Sequence, residues 1–181
     1  MISIIMGLSL ARLLNGVAGL IQHPKKEHLW WPHLCWVIYM MVSVTAFWWW
    51  QFQLSELRVL TFETYIFLIA EAAVLFLLCS LIFPTEISEY QGYGDYFMSR
   101  RRWFFGLLAT AYVVDVADTW IKGREHLAAQ GYEYPVRTVA YVLLCILAAR
   151  TANARFHAAF AVLSLAYQVS WILRLYDVIS I

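Results

Sequence analysis

Residues 60–83 read LTFETYIFLIAEAAVLFLLCSLIF, a nearly unbroken apolar run with two acids, Glu63 and Glu71, and no base. Crossing a hydrocarbon core takes roughly twenty apolar residues at helical rise, and this run supplies them. A transmembrane β-strand would alternate apolar and polar positions over about ten residues. There is no such alternation here. The stretch reads as a membrane-spanning α-helix closed by Pro84.

Working outward, the same pattern recurs. Before it lie Ile2–Ile21 and a run from about Pro32 to Phe52 that contains Trp48-Trp49-Trp50, rings suited to a membrane–water boundary. After it lie Trp103–Ile121, the shorter Val136–Ala149 and Phe156–Val178. The separators are short and polar: Gln22–His28, a turn with Glu56 and Arg58, Thr85–Arg102, Lys122–Tyr134 and Arg150–Arg155. With 62% hydrophobic and 14% charged residues, the chain cannot cover its apolar surface in water, so the bilayer is its solvent. We expect an all-α transmembrane bundle of about six spans, forming one domain over residues 1–181.

These helices use up the 181 residues and leave no room for a soluble catalytic domain. A net charge of +1 gives no concentrated basic face for nucleic acid. Cys35, Cys79 and Cys145 sit in three different apolar runs with no CxxC, so they read as packing residues, and no metal or cofactor is expected. Arg12 interrupts the first run and no basic n-region precedes it, so residues 1–21 read as a retained span rather than a signal peptide. Loops one–two, three–four and five–six carry seven Lys and Arg (Lys25, Lys26, Arg100, Arg101, Arg102, Arg150, Arg155). The other side carries at most five (Arg58, Lys122, Arg124, Arg137, Arg174), a thin margin that places both termini outside the cytoplasm.

Charged side chains inside a span cost about 2.5–3.5 kcal/mol each on insertion scales. Segment one holds Arg12 and Asn15 on one face, segment three Glu63 and Glu71, segment four Asp115 and Asp118, and segment six His157, Ser164, Gln168, Trp171, Arg174 and then Asp177. Alternating chain direction sets relative depths at 1.5 Å per residue. Arg12, Asn15, Glu71 and Gln168 fall near the middle, and the remaining acids and Arg174 lie toward the side of the termini. Arg12 is then within reach of Asp115. Two readings follow. In one, Arg12–Asp115 and Arg174–Asp177 are pairs that fix helix packing. In the other, Glu71, Asp115 and Asp118 line a wet cavity for a proton or small cation, with Arg12 as counter-charge and Asn15 and Gln168 as polar liners.

Several motifs are decoys. Gly92-Tyr93-Gly94-Asp95 echoes part of a potassium filter, but Glu89-Tyr90-Gln91 stands where a Thr-Val pair is needed and no pore helix precedes it. His23, His28 and His33 recur every five residues, not the three or four of helical metal ligands. No Ser/His/Asp set, phosphate loop or HExxH occurs. Ala11, Asn15 and Gly19, spaced by four, form a small-residue seam for helix contact within or between protomers.

Arg100–Leu107 (RRRWFFGL), Val114–Thr119 (VDVADT) and the opening Gly7–Leu14 (GLSLARLL) resemble a group of short, uncharacterised bacterial multi-spanning proteins. The resemblance covers about the first two thirds of the chain. It implies a bacterial inner membrane and singles out Arg12, Arg102, Asp115 and Asp118, but implies no reaction. The leading expectation is a homo-oligomeric channel or transporter for protons or small cations, with the lipid bilayer as its other partner. The alternatives are a non-transporting scaffold or sensor subunit and, third, a lipid-handling enzyme.

Overall fold

A computed structural model describes residues 1–23, 29–54, 62–121 and 131–176. Among these residues the chain is all α, with no strand. The helices are α1 (Ile2–Gln22), α2 (Trp31–Leu54), α3 (Phe62–Ile82), α4 (Tyr93–Ile121), α5 (Glu133–Arg150) and α6 (Ala154–Tyr176), with a single 3-10 turn at Ile87–Glu89. Three stretches, Ile2–Gln22, Tyr65–Ile82 and Ala154–Arg174, are long and apolar enough to cross a membrane. Of the others, α2 carries no charged residue, whereas α4 includes Arg100–Arg102, Asp115 and Asp118, and α5 includes Arg137 and Arg150.

α3 lies between α1 and α4, α4 packs on α5, and α2 packs on α6 while touching α1, α3 and α4. Apolar side chains gain nothing by leaving lipid for protein, so tight packing has to hold such helices together. The centre of that packing is aromatic. Trp36 is fully buried, and its ring meets Tyr39, Phe104, Phe105 and Phe160 edge to face at centroid distances of 5.3–5.4 Å. One residue of α2 thereby joins α4 and α6, in the geometry that ring quadrupoles favour. Cys79 and Cys145 are buried in this core as packing residues.

The structure corrects one expectation and narrows another. First, α4 starts at Tyr93 rather than Trp103, so most of the expected three–four loop is helix. Gly92, with φ of 141°, makes the turn that admits it, and the Asp95 carboxylate accepts from the Gln91 amide at 3.3 Å in the first turn. Tyr93, Tyr96 and Phe97 are buried. Tyr93 stacks on His33 and Phe97 meets Trp30, so α4 gains an extra packed segment against the start of α2. The Gly-Tyr-Gly-Asp string is thus a helix start, with Gly94 against the Trp30 side chain.

Second, of the two places left open for the α1 seam, the described residues do not pack on it within the protomer. Ala11 and Asn15 are exposed, and a Cβ at Gly19 would meet nothing within 4 Å. The close approach is at Gly16, where a Cβ would run into the Phe83 ring. That ring cannot give way, being set edge-on to both His33 and Tyr93 at 5.2 and 5.8 Å. Gly16→Val should therefore cost about 1–3 kcal/mol of stability through overpacking, while Gly19→Val should melt within about 0.5 kcal/mol of wild type. Thermal unfolding of the two variants in one detergent checks the contrast, and equal losses would contradict it.

Candidate functional site

The first polar cluster lies where α3 ends. A helix leaves its last carbonyls without intrahelical donors, Pro84 cannot continue the helix, and lipid offers no water to replace them. Three side chains from three helices supply the donors. The Tyr96 hydroxyl (α4) donates to the Leu81 carbonyl at 2.8 Å, the His33 ring (α2) to Ile82 at 2.8 Å, and Arg12 Nη2 (α1) to Phe83 at 3.1 Å. His33 is fully buried, and its bond to a carbonyl fixes the proton on Nε2. The positive guanidinium also suits the negative end of the α3 dipole.

The second cluster joins α4, α5 and α6. The Tyr134 hydroxyl donates to Asp115 Oδ2 at 2.9 Å, lies 3.0 Å from the Thr119 hydroxyl, and is buried. Burial first, and the Asp115 charge second, push that phenol up, so it stays protonated and serves as a donor. Arg137 approaches Asp115 only to 3.9 Å and spreads over the Trp171 ring, 4.5 Å from its centroid. Nearer the helix end, Arg174 grips Glu133 with two bonds of 2.8 and 3.1 Å, and Tyr167 adds a third at 2.9 Å. The Arg174 bonds, then that of Tyr167, hold the Glu133 carboxyl below its usual range.

These contacts relocate several residues singled out from sequence. Arg12 bonds the Phe83 carbonyl and not Asp115, because the end of α3 docks against the middle of α1. Glu71 is half-buried in α3 and lies twelve residues before Phe83, about 18 Å along the axis, so it does not share a level with Arg12. Asn15 is exposed on α1. Gln168 donates to the Ser43 hydroxyl of α2 at 2.7 Å. Arg174 pairs with Glu133 across to α5, while its expected partner Asp177 lies outside the described residues, as does the side chain of Asp118. Among the described residues Arg12, Asp115 and Gln168 thus bond different partners.

From sequence, Arg137 entered only the charge count and Glu133 and Tyr141 were passed over, yet the three recur every four residues and so line one face of α5. Ser164, Tyr167, Trp171 and Arg174 answer from α6 at helical spacing. That pairing of polar stripes was the available signal. Between the stripes lies a slot of about 560 Å³, and a second cavity of about 670 Å³ runs along α6 from Val162 to Arg174, with Cys35 of α2 on its wall. Neither is lined by Arg12, Asn15, Glu71, Asp115 or Gln168. Among the described residues no group of three His, Cys, Asp or Glu could hold a metal. No family model, curated protein or solved structure matches the chain.

Removing the Arg12 cap should strand a carbonyl in an apolar setting. Arg12→Leu is expected to lose about 1–3 kcal/mol of stability and Arg12→Lys less, read by melting in detergent; equal stability of Arg12→Leu and wild type would contradict the cap. The Glu133 brace gives a pH dependence. A carboxyl that titrates lower when folded stabilises the fold above its unfolded value, and the gain is lost as pH falls through the folded value. The melting advantage of wild type over Glu133→Gln should therefore be full at neutral pH and disappear as pH drops below the usual glutamate value of 4.5. A pH-independent difference would contradict it.

Proposed function

We propose that this protein is a non-conducting membrane subunit, a scaffold or sensor, whose interior charges hold its helices in place. The Arg12 bond to the Phe83 carbonyl carries the reading. A guanidinium spent on closing a helix end is not available as counter-charge to acids along an ion path. Arg174 is likewise spent on Glu133, and Asp115 accepts from Tyr134. These are contacts between helices, and each is what a packing role requires.

The bundle sits in a bacterial inner membrane and crosses it about six times, with both termini on the periplasmic side, in line with the apolar runs and the Lys and Arg distribution. Copies of the chain associate through the outward face of α1, where Ala11, Asn15 and Gly19 let another helix approach closely.

Proteoliposomes holding the purified protein test the reading. Under proton, potassium or sodium gradients the expected flux equals that of empty liposomes, and Asp115→Asn should lower the melting temperature by an amount worth about 1–3 kcal/mol. Protein-dependent flux that Asp115→Asn abolishes, with the fold retained, would overturn the proposal in favour of a proton or cation transporter.

A further inference from the structure

α5 and α6 are joined by only Thr151–Asn153, yet α5 packs on α4 and α6 on α2, so the two are bridged by long side chains rather than packed closely along their length. The slot left between them, about 560 Å³, falls within the range of ligand pockets. Val136, Ala140 and Leu144 form one wall, and Phe156, Ala159 and Leu163 the other. Val136 and Leu163 are 69% and 67% exposed, so the slot opens sideways to whatever surrounds the helices. At one end the turn closes it. At the other stand Glu133 and Arg174, bonded to each other.

Arg137 stands in the wall near that charged end, with its side chain only 16% exposed. Among the described residues it makes no hydrogen bond. Its ion pair with Asp115 is long, at 3.9 Å, its guanidinium carbon lies 4.5 Å from the Trp171 ring centroid, and Nε is buried without an acceptor. Further along the slot, Ser164 is 2% exposed and its hydroxyl also lacks a partner. Buried donors are ordinarily satisfied, and a guanidinium carries five of them in a fork that matches a phosphate. Apolar walls open to lipid, with unspent donors at one end, fit one kind of occupant.

We propose that the slot holds one acyl chain of an anionic phospholipid from the bilayer, its phosphate on Arg137 and an ester carbonyl within reach of the Ser164 hydroxyl. The hydrocarbon lies between Ala140 and Ala159, where small side chains leave room. A helix of a second copy would fill the walls but bring no anion to Arg137. This goes beyond the non-conducting reading and holds whether or not ions cross the membrane.

The test is native mass spectrometry of the delipidated full chain in detergent, titrated with phosphatidylglycerol or phosphatidylcholine of matched chains. Phosphatidylglycerol should bind about tenfold more tightly, because both lipids offer a phosphate but the choline of phosphatidylcholine brings a second positive charge beside Arg137 and Arg174. Ala159→Trp, at an exposed position, should fill the slot and remove most binding of both lipids with the circular dichroism unchanged. Arg137→Gln should abolish the preference between headgroups while retaining residual chain binding; if that variant does not fold, the Ala159→Trp result decides. Equal affinity for the two lipids, or phosphatidylglycerol binding that survives Ala159→Trp, would overturn the proposal. Loss of a dimer in Ala159→Trp with lipid binding intact would overturn it too, assigning the slot to a second copy.

Discussion

At the end of α3 the carbonyls of Leu81, Ile82 and Phe83 face an apolar interior with no intrahelical donor left to them, and Tyr96, His33 and Arg12 donate to them in turn. The alternative to these bonds in lipid is a set of stranded acceptors, each costing several kcal/mol. The constraint is stronger than any pairwise apolar contact, because apolar groups are equally well solvated by acyl chains. Since the donors come from α1, α2 and α4, closing one helix end positions three others. The Phe83 ring then fixes the level of α1 through Gly16, and His33 carries Tyr93 with it at the start of α4.

The same device recurs at the end of α5. His157, fully buried, lies 3.0 Å from the Thr151 carbonyl beyond the last turn, while Asn153 Oδ1 accepts from the Arg155 and Phe156 amides and starts α6. His157 stacks on Phe105, and Phe97 meets both histidines at ring distances of 6.2 and 6.5 Å. Two histidines that cap helix ends thus bracket one aromatic core. Away from that core, the charged and phenolic groups of α4, α5 and α6 gather at the opposite ends of those helices, where the slot opens.

The fold class was legible in the sequence because apolar run length is set by bilayer thickness, independent of partner. The helical runs of α1, α3 and α6 follow from it directly. The start of α4 was not legible: Arg100–Arg102 looked like a loop's end, whereas Tyr93, Tyr96 and Phe97 had an aromatic surface waiting on α2 that only the assembled bundle reveals. Arg12 was misplaced for a related reason. Counting residues from each span's start assumes that helices lie level, and α3 ends against the middle of α1. Of the site, the stripe of Glu133, Arg137 and Tyr141 was written in the spacing, but the short apolar run Val136–Ala149 marks where α5 lies and not which face it presents.

The account rests on the end of α3 acting as one shared junction, and a double-mutant cycle on Arg12→Leu and His33→Phe measures that directly. If the two bonds close the same helix end, losing either frays it and the second loss costs less. Thermal unfolding in detergent should then show the double variant more stable than the sum of the single losses implies, by about 0.5–3 kcal/mol. Strict additivity of the two losses, or no loss in either single variant, would contradict the account.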